Sequence, residues 1–254
     1  MKQGIFEIIE NRPLNPEVMR LRLRGDTGAI TRPGQFVNIR IDGCFLRRPL
    51  SVCDWDKDSL TVVYRIVGRG TEKLSRMESG SLDLLTGLGN GFDLAPAGEK
   101  PLLIGGGLGF TPLYALAKRL IAEGKKPQVL LGFATEAQVV YEAEFKALGC
   151  AVTLCTEDGS RGLRGYVTQA MASLDYSYFY TCGPEAMFKA VNDCAVTSGQ
   201  FSFEQRMGCG FGACMGCSCE TSPASSAFVR KALCCGRRRF DGRPERVPLR
   251  YPSG

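Results

Sequence analysis

The chain of 254 residues carries 32 Lys and Arg against 26 Asp and Glu, no histidine and twelve cysteines. Six arginines against two acids between residues 237 and 254 account for most of the net +6, so the body is nearly neutral and lacks the basic face of a nucleic-acid binder. Cysteines spread this thinly do not make a small secreted scaffold, no apolar run nears the roughly 18 residues of a membrane span, and the first residues enter strand-like alternation instead of a signal peptide, so a reducing cytoplasm is the expected compartment.

Residues 1–96 read as an antiparallel barrel. Stretches 5–9, 18–23, 35–41 and 60–67 alternate apolar with polar residues, and Asn15-Pro16, Pro33-Gly34 and Asp56-Lys57-Asp58 punctuate them. Strands at this spacing with no long helical pattern between them predict a closed or partly closed small sheet. Two polar motifs sit on it. Arg47-Arg48-Pro49-Leu50-Ser51-Val52 sets a cation and a hydroxyl around a rigid proline, and Tyr64-Arg65-Ile66-Val67-Gly68-Arg69-Gly70-Thr71 ends a strand in a glycine turn. Arginines beside barrel strands are usually solvated; flavin phosphate binding is the alternative that their chemistry also suits.

Residues 97–200 change period. Pro101-Leu102-Leu103-Ile104 runs into Gly105-Gly106-Gly107-Leu108-Gly109-Phe110-Thr111-Pro112, after which Leu113, Leu116, Ala117, Leu120 and Ile121 recur at helical spacing. Thr111 is the expected N-cap, Pro112 suits the first helical position and Gly124 the end. Strand, glycine loop and helix together bring backbone N–H groups and a helix dipole to a pyrophosphate, although alternating glycines are not the strict dinucleotide fingerprint. Strands at 129–133, 151–156 and 178–181 then alternate with helices at 140–148, 165–173 and 185–195, the pattern of a doubly wound parallel sheet. Ligands of such sheets bind beyond the carboxyl ends of the strands. The candidates there are Gly105 to Thr111, Thr135-Glu136, Asp158-Gly159 and Cys182-Gly183-Pro184. A carboxylate at Glu136 accepts from a ribose 2′-OH and repels a 2′-phosphate, favouring NADH; an exposed glutamate without that role fits as well. For Cys182 a core thiol and a place beside a nicotinamide are both open.

Residues 201–254 hold Cys209, Cys214 and Cys217 as C-x4-C-x2-C with later cysteines in reserve, the plant-type spacing for a [2Fe-2S] cluster. Gly208, Gly210, Gly212 and Gly216 interleave these ligands and let the backbone wrap closely around an inorganic core. A structural zinc site more often shows two C-x2-C pairs or paired histidines, which leaves zinc as the minor alternative.

Taken together, Arg48-Pro49-Leu50-Ser51, the Gly68 to Thr71 turn, Leu88-Gly89-Asn90-Gly91-Phe92, Gly105 to Pro112, Cys182-Gly183-Pro184 and Gln205-Arg206-Met207-Gly208-Cys209 resemble, in type and order, the ferredoxin-reductase family. Within it they are most similar to the electron-transfer subunits of NAD-dependent, class B dihydroorotate dehydrogenases, over about residues 1 to 236. The resemblance implies an FAD-binding barrel over 1–96, an NAD-binding α/β domain over 97–200 and a small [2Fe-2S] domain over 201–254. It implies that Arg48, Pro49, Leu50, Ser51, Arg65, Ile66, Val67, Gly70 and Thr71 hold FAD. Gly105, Gly106, Gly107, Gly109, Thr111, Pro112, Cys182, Gly183 and Pro184 would then hold NAD, with Glu136 at the ribose. Cys209, Cys214, Cys217 and Cys234 would ligate the cluster. The implied partner is a separate FMN-containing catalytic subunit, two copies of each. Three departures stand out. Leu50 replaces an aromatic common before the serine, and Leu88 replaces a proline. Gly236-Arg237-Arg238-Arg239-Phe240 follows the last cysteines where the family has an acidic residue and Gly-Pro-Val-Phe. Aligning Phe240 with that phenylalanine makes Cys234 the fourth ligand; a shift of one residue exchanges it for Cys235.

NADH exchanges electrons as a pair and a [2Fe-2S] centre one at a time, so a flavin between them is the expected splitter. No paired carboxylates or nucleophile triad appear, no catalytic side chain is assigned, and the organic substrate is expected on another protein. Two other readings remain: the same cofactors serving a hydrogenase, a sulfur reductase or a ferredoxin, and a binding module with a zinc-stapled tail.

Overall fold

Alternation of period two builds the first half of the chain. In β1 (Lys2–Asn15) Phe6 and Ile8 point inward and Ile5 and Glu7 outward, and β2 (Val18–Arg24) buries Leu21 and Leu23 in the same way. With β3 (Phe36–Ile39), β4 (Arg48–Trp55), β5 (Ser59–Arg65) and β6 (Ser81–Leu88) they close an antiparallel barrel in the order β1-β2-β5-β4-β3-β6, β6 returning to β1. Val37, Ile39, Leu60, Val62, Leu82 and Leu84 fill its interior; each such side chain contributes about 1.5–3 kcal/mol on leaving water. The structure, a computed structural model, describes residues 1–203 and 207–210, and beyond them the backbone of Ser218–Thr221, Ala224–Ala227, Cys235–Arg237, Arg239–Phe240 and Arg243–Pro244.

Sequence alternation located four of the six barrel strands. It missed β4, where a proline and adjacent charges mask the pattern, and β6, which buries Leu82, Leu84, Thr86 and Leu88 in alternation. The expected glycine turn at 68–71 runs into a short helix, α1 (Arg69–Ser75), and the preceding strand ends at Arg65.

The second half is a parallel sheet built from β7 (Pro101–Gly106), α2 (Thr111–Ala122), β8 (Gln128–Phe133), α3 (Glu142–Ala147), β9 (Ala151–Thr156), β10 (Leu163–Arg164), α4 (Val167–Met171), β11 (Tyr178–Cys182), α5 (Glu185–Cys194) and β12 (Gly199–Ser202). Its order is β10-β9-β8-β7-β11-β12, and Cys235–Arg237 adds an antiparallel strand on β12 with Cys235 opposite Phe201. One face, Leu103, Leu131 and Tyr180, packs under Leu113, Leu116 and Phe145; the other, Ile104, Leu130 and Phe179, packs under Val167, Phe188 and Val191. Burial on both faces is why β7 reads as an unbroken apolar run.

Helix α2 departs from expectation at its start. Gly107–Phe110 makes a turn of 3-10 helix, Phe110 is the N-cap, and Thr111 is the first helical residue with its side chain buried. Gly124, at φ +76°, ends the helix by donating to Ile121 O at 2.9 Å while Lys125 donates to Leu120 O at 2.9 Å.

The two halves share their cores. Val18, Cys53 and Val63 of the barrel join the α2 side of the sheet, and Phe36 and Leu88 join the α5 side. The Leu88 to Phe92 motif is the bridge: Phe92 N–H donates to Pro33 O at 2.7 Å, and Gln35 Nε2 donates to Gly89 O at 3.1 Å. Tyr180 Oη and Gln200 Nε2 then both donate to Asp93 O, at 2.8 and 2.7 Å.

Candidate functional site

The glycine loop lies where the strand order of the sheet reverses. From β7 the chain runs outward through β8, β9 and β10, then returns to lay β11 on the other flank of β7, which is the switch point at which doubly wound sheets open a ligand crevice. Cys182 pairs in register with Gly105, so Gly105–Gly109 and Cys182-Gly183-Pro184 leave the sheet side by side. Their contact permits no side chain. A Cβ on Gly109 would stand 2.0 Å from Cys182 O, and one on Gly183 would stand 3.0 Å from Gly106 N. Gly106 is closed in by Pro184 and Met187. Gly107 differs: at φ +54° it faces open space, and a Cβ there would meet no atom of the described residues within 4 Å. Two strand ends held together around a glycine facing open space fit a phosphate approached by backbone N–H groups. Thr111 and Pro112 are buried behind the loop, and the Cys182 side chain is fully buried in the core beneath the seam.

Glu136 follows β8, half-exposed, and its backbone N–H donates to Ser160 Oγ at 2.8 Å. Arg161, which the sequence did not single out, stands 3.5 Å from the Glu136 carboxylate and 2.8 Å from that of Glu142. Lys146 and Arg161 hold the Glu142 carboxyl below the usual carboxylate range. The rim that would meet a ribose therefore carries a carboxylate already facing a cation.

On the barrel, the two adjacent arginines divide their work. Arg47 forks onto Asp83, with Nη1 to Oδ1 at 3.1 Å and Nη2 to Oδ2 at 2.8 Å, and its hydrogen bonds hold the Asp83 carboxyl below its ordinary range. Arg48 points the other way: its guanidinium lies against Gly70, where a Cβ would stand 2.3 Å from Nε, and its Nη1 donates to Leu46 O. The turn beneath is fixed by Thr71, whose Oγ1 accepts from Val67 N–H at 2.9 Å and donates to Gly68 O at 3.1 Å. Arg48 and residues 66–71 thus form one cationic cradle, its floor at Gly70 and Thr71 buried and its rim at Val67, Gly68 and Arg69 exposed, with a donor set that fits a diphosphate. Pro49, Leu50 and Ser51 are half-buried along β4, Leu50 leaning on the barrel core, while Arg65 lies 3.9 Å from Glu17.

Strand β4 ties this cradle to the glycine loop. Its far end packs on α2, where Lys118 reaches Asp54 at 2.7 Å, and Cys53 meets the hydroxyl of Tyr141, burial pushing both groups up. Tyr141 is at φ +66°, a left-handed backbone unusual for a bulky residue, and stacks on Phe110 of the glycine loop with centroids 4.7 Å apart. No local pattern in the sequence signals this strained junction.

Of the four expected cluster ligands, Cys209 is described and half-buried; Cys214, Cys217 and Cys234 lie outside the described residues. Among the described residues no three Cys, Asp, Glu or His side chains gather as a metal site. The fit around Cys209 is close: Gly210 sits at φ +73°, and a Cβ there would stand 2.2 Å from Asn38 Nδ2. That amide donates to Cys209 O at 3.3 Å, joining the barrel to the ligand loop. The one polar residue in an apolar strand was the signal available for Asn38.

The family model for the oxidoreductase NAD-binding domain matches residues 103–193, the stretch that builds this seam. Over 91% of its length the chain is 40% identical to the dihydroorotate dehydrogenase B (NAD(+)) electron transfer subunit of Shouchella clausii (strain KSM-K16), covering 93% of that protein. The chain belongs to the family of these electron transfer subunits. It is therefore an oxidoreductase subunit with an electron-transfer role. The family's architecture extends to solved structures: the NADH-dependent reduced ferredoxin-NADP oxidoreductase superposes with a TM-score of 0.83 at 26% identity, over 97% of this chain and 90% of that one. A ferredoxin NADP+ reductase from Neisseria gonorrhoeae, solved with bound FAD and NADP, shares the fold at a TM-score of 0.65 and 17% identity, over 76% of this chain and 90% of that one. No helix among the described residues is long and apolar enough to cross a membrane.

Proposed function

We propose that this chain carries electrons from the FMN of a dihydroorotate dehydrogenase catalytic subunit to NAD+, two copies of each subunit assembling together. In the net reaction dihydroorotate gives up two electrons and two protons to become orotate; NAD+ takes two electrons and one proton as hydride, and one proton is released. The bound flavin supplies the exchange between single electrons and a pair, and a [2Fe-2S] cluster the one-electron link to the partner. The observation that carries this reading is strand β4, which bears Arg48 of the cradle at one end and at the other packs through Cys53 in one core with Phe110 of the glycine loop, with Cys209 held on the same barrel.

The roles of the chain's own residues follow. Arg48 and the 65–71 turn, with Pro49, Leu50 and Ser51 along the strand, hold FAD. Gly105, Gly106, Gly107 and Gly109 with Thr111 and Pro112, and Cys182, Gly183 and Pro184, receive NAD, with Glu136 favouring the unphosphorylated ribose. Cys209, Cys214, Cys217 and Cys234 hold the cluster.

Anaerobically purified protein should contain FAD and iron, and NADH should reduce both; colourless protein after reconstitution with iron, sulfide and FAD refutes the reading. Separate serine replacements of Cys234 and Cys235 decide the fourth ligand by iron content, the loss of iron being expected at Cys234. The likeness to a ferredoxin-NADP oxidoreductase over nearly the whole chain favours a ferredoxin-type partner as the second reading. Co-purification separates the two: an FMN protein that oxidises dihydroorotate supports the first, and an iron-sulfur protein alone supports the second.

A further inference from the structure

The outer face of β3 carries a buried amide with half of its hydrogen bonding unmet among the described residues. Val37 and Ile39 point into the barrel, whereas Phe36 and Asn38 point out, toward the chain as it leaves the parallel sheet. Phe36 there packs in one cluster with Phe201, Phe203 and Met207, and Asn38 is 1% exposed. Its Nδ2 donates to Cys209 O at 3.3 Å, while its buried Oδ1 has no hydrogen-bond partner among the described residues. A Cβ on Gly210 would stand 3.7 Å from that oxygen, so the unmet acceptor is aimed at the same turn. The backbone of Asn38 is braced too: its carbonyl accepts from Arg47 Nη1 at 3.4 Å, and Arg47 is anchored on Asp83.

The same strand pairs with β4, which bears residues proposed to hold the flavin. Asn38 stands opposite Pro49 and Phe36 opposite Ser51 in the β3–β4 register, so the strand pair that holds Pro49 and Ser51 also holds the amide that grips Cys209. A buried polar group is retained where its bonds specify a geometry, and an unpaired acceptor in such a place calls for a donor. We infer that Asn38 is a positioning residue for electron transfer: its amide clasps the first cysteine of the ligand loop to the flavin-bearing strands and thereby sets the path between the two centres. This rests on the cluster reading above, and concerns a residue that supplies no ligand itself.

The test uses the full chain with Asn38→Leu, which keeps size and removes both bonds, and Asn38→Asp, which keeps shape and an acceptor but loses the donor. FAD per chain reports folding. The expected result in both variants is an altered electron paramagnetic resonance signal of the reduced cluster. Cluster bleaching after NADH mixing should slow by about 10-fold relative to flavin reduction, the scale of outer-shell losses at metal sites. Should Asn38→Leu fail to bind FAD, Asn38→Asp carries the test alone. Wild-type resonance and bleaching rates in an FAD-loaded variant overturn the inference while leaving the cluster reading intact. Wild-type protein that holds FAD but takes up no iron overturns both.

Discussion

Substituting Gly109 with alanine is the sharpest probe of the seam. The new Cβ would stand 2.0 Å from Cys182 O, 2.4 Å from Cys182 C and 2.8 Å from Gly183 N, whereas carbon contacts settle near about 3.5 Å. The obstructing atoms are backbone, and Cys182 is locked in register with Gly105, so no side-chain rotation relieves the clash. The glycine loop and the 182–184 loop must part by more than about 1 Å, an overpacking cost of about 1–3 kcal/mol. For a chain of this size that lowers the melting temperature by about 2–12 °C. A misplacement of that order in a binding cradle reduces turnover by up to about 100-fold. The assays are thermal unfolding and the KM for NADH in reduction of an artificial acceptor. Gly124→Ala is the control: φ +76° strains it, none of the described residues comes within 4 Å of its Cβ, and it should lose about 1 kcal/mol with KM unchanged. The reasoning is refuted if Gly109→Ala melts within about a degree of wild type and keeps the wild-type KM.

Arg47→Gln should cost about 1–2 kcal/mol by breaking the partly buried fork onto Asp83. Because the folded state holds the Asp83 carboxyl below its unfolded value of about 3.9, this stabilisation is fully present above that pH and is lost as pH falls through the folded value. The gap between wild-type and variant melting temperatures should therefore close in acid. Arg48→Gln, by contrast, should leave the melting temperature of the flavin-free protein within about 1 °C and lower the FAD retained on gel filtration. Tyr141→Ala removes a buried ring stacked on Phe110 and set edge-on to Tyr114 and should destabilise by about 3–5 kcal/mol in denaturant titration; Tyr141→Phe should lose no more than about 1 kcal/mol. Glu136→Ser releases Arg161 from one of its two carboxylates and should shift the kcat/KM ratio toward NADPH by about 10-fold, with an unchanged ratio counting against Glu136 at the ribose.

The class of fold was legible in the order of residues alone. Period-two alternation gives way to strand-and-helix alternation near residue 100, and hydrophobic burial enforces both patterns, so they are written into every few residues. The glycines at 105–109 and the C-x4-C-x2-C spacing were legible for the same reason: the chemistry proposed for them constrains neighbours in the chain. Strands β4 and β6 escaped because a proline, charges and a glycine blur their alternation. Which residues meet was settled only by the packing in three dimensions. Gly109 is held to glycine by Cys182, some seventy residues away; Arg47 is a brace and Arg48 turns instead onto Gly70 because only one of them finds Asp83; and Arg161 reaches Glu136 across a strand. Asn38, a single polar residue in an apolar strand, acquires its hydrogen bond to Cys209 only when the chain after β12 returns to lie on the barrel. Contacts of this kind depend on how two shared cores fit together, and local sequence carries no record of that fit.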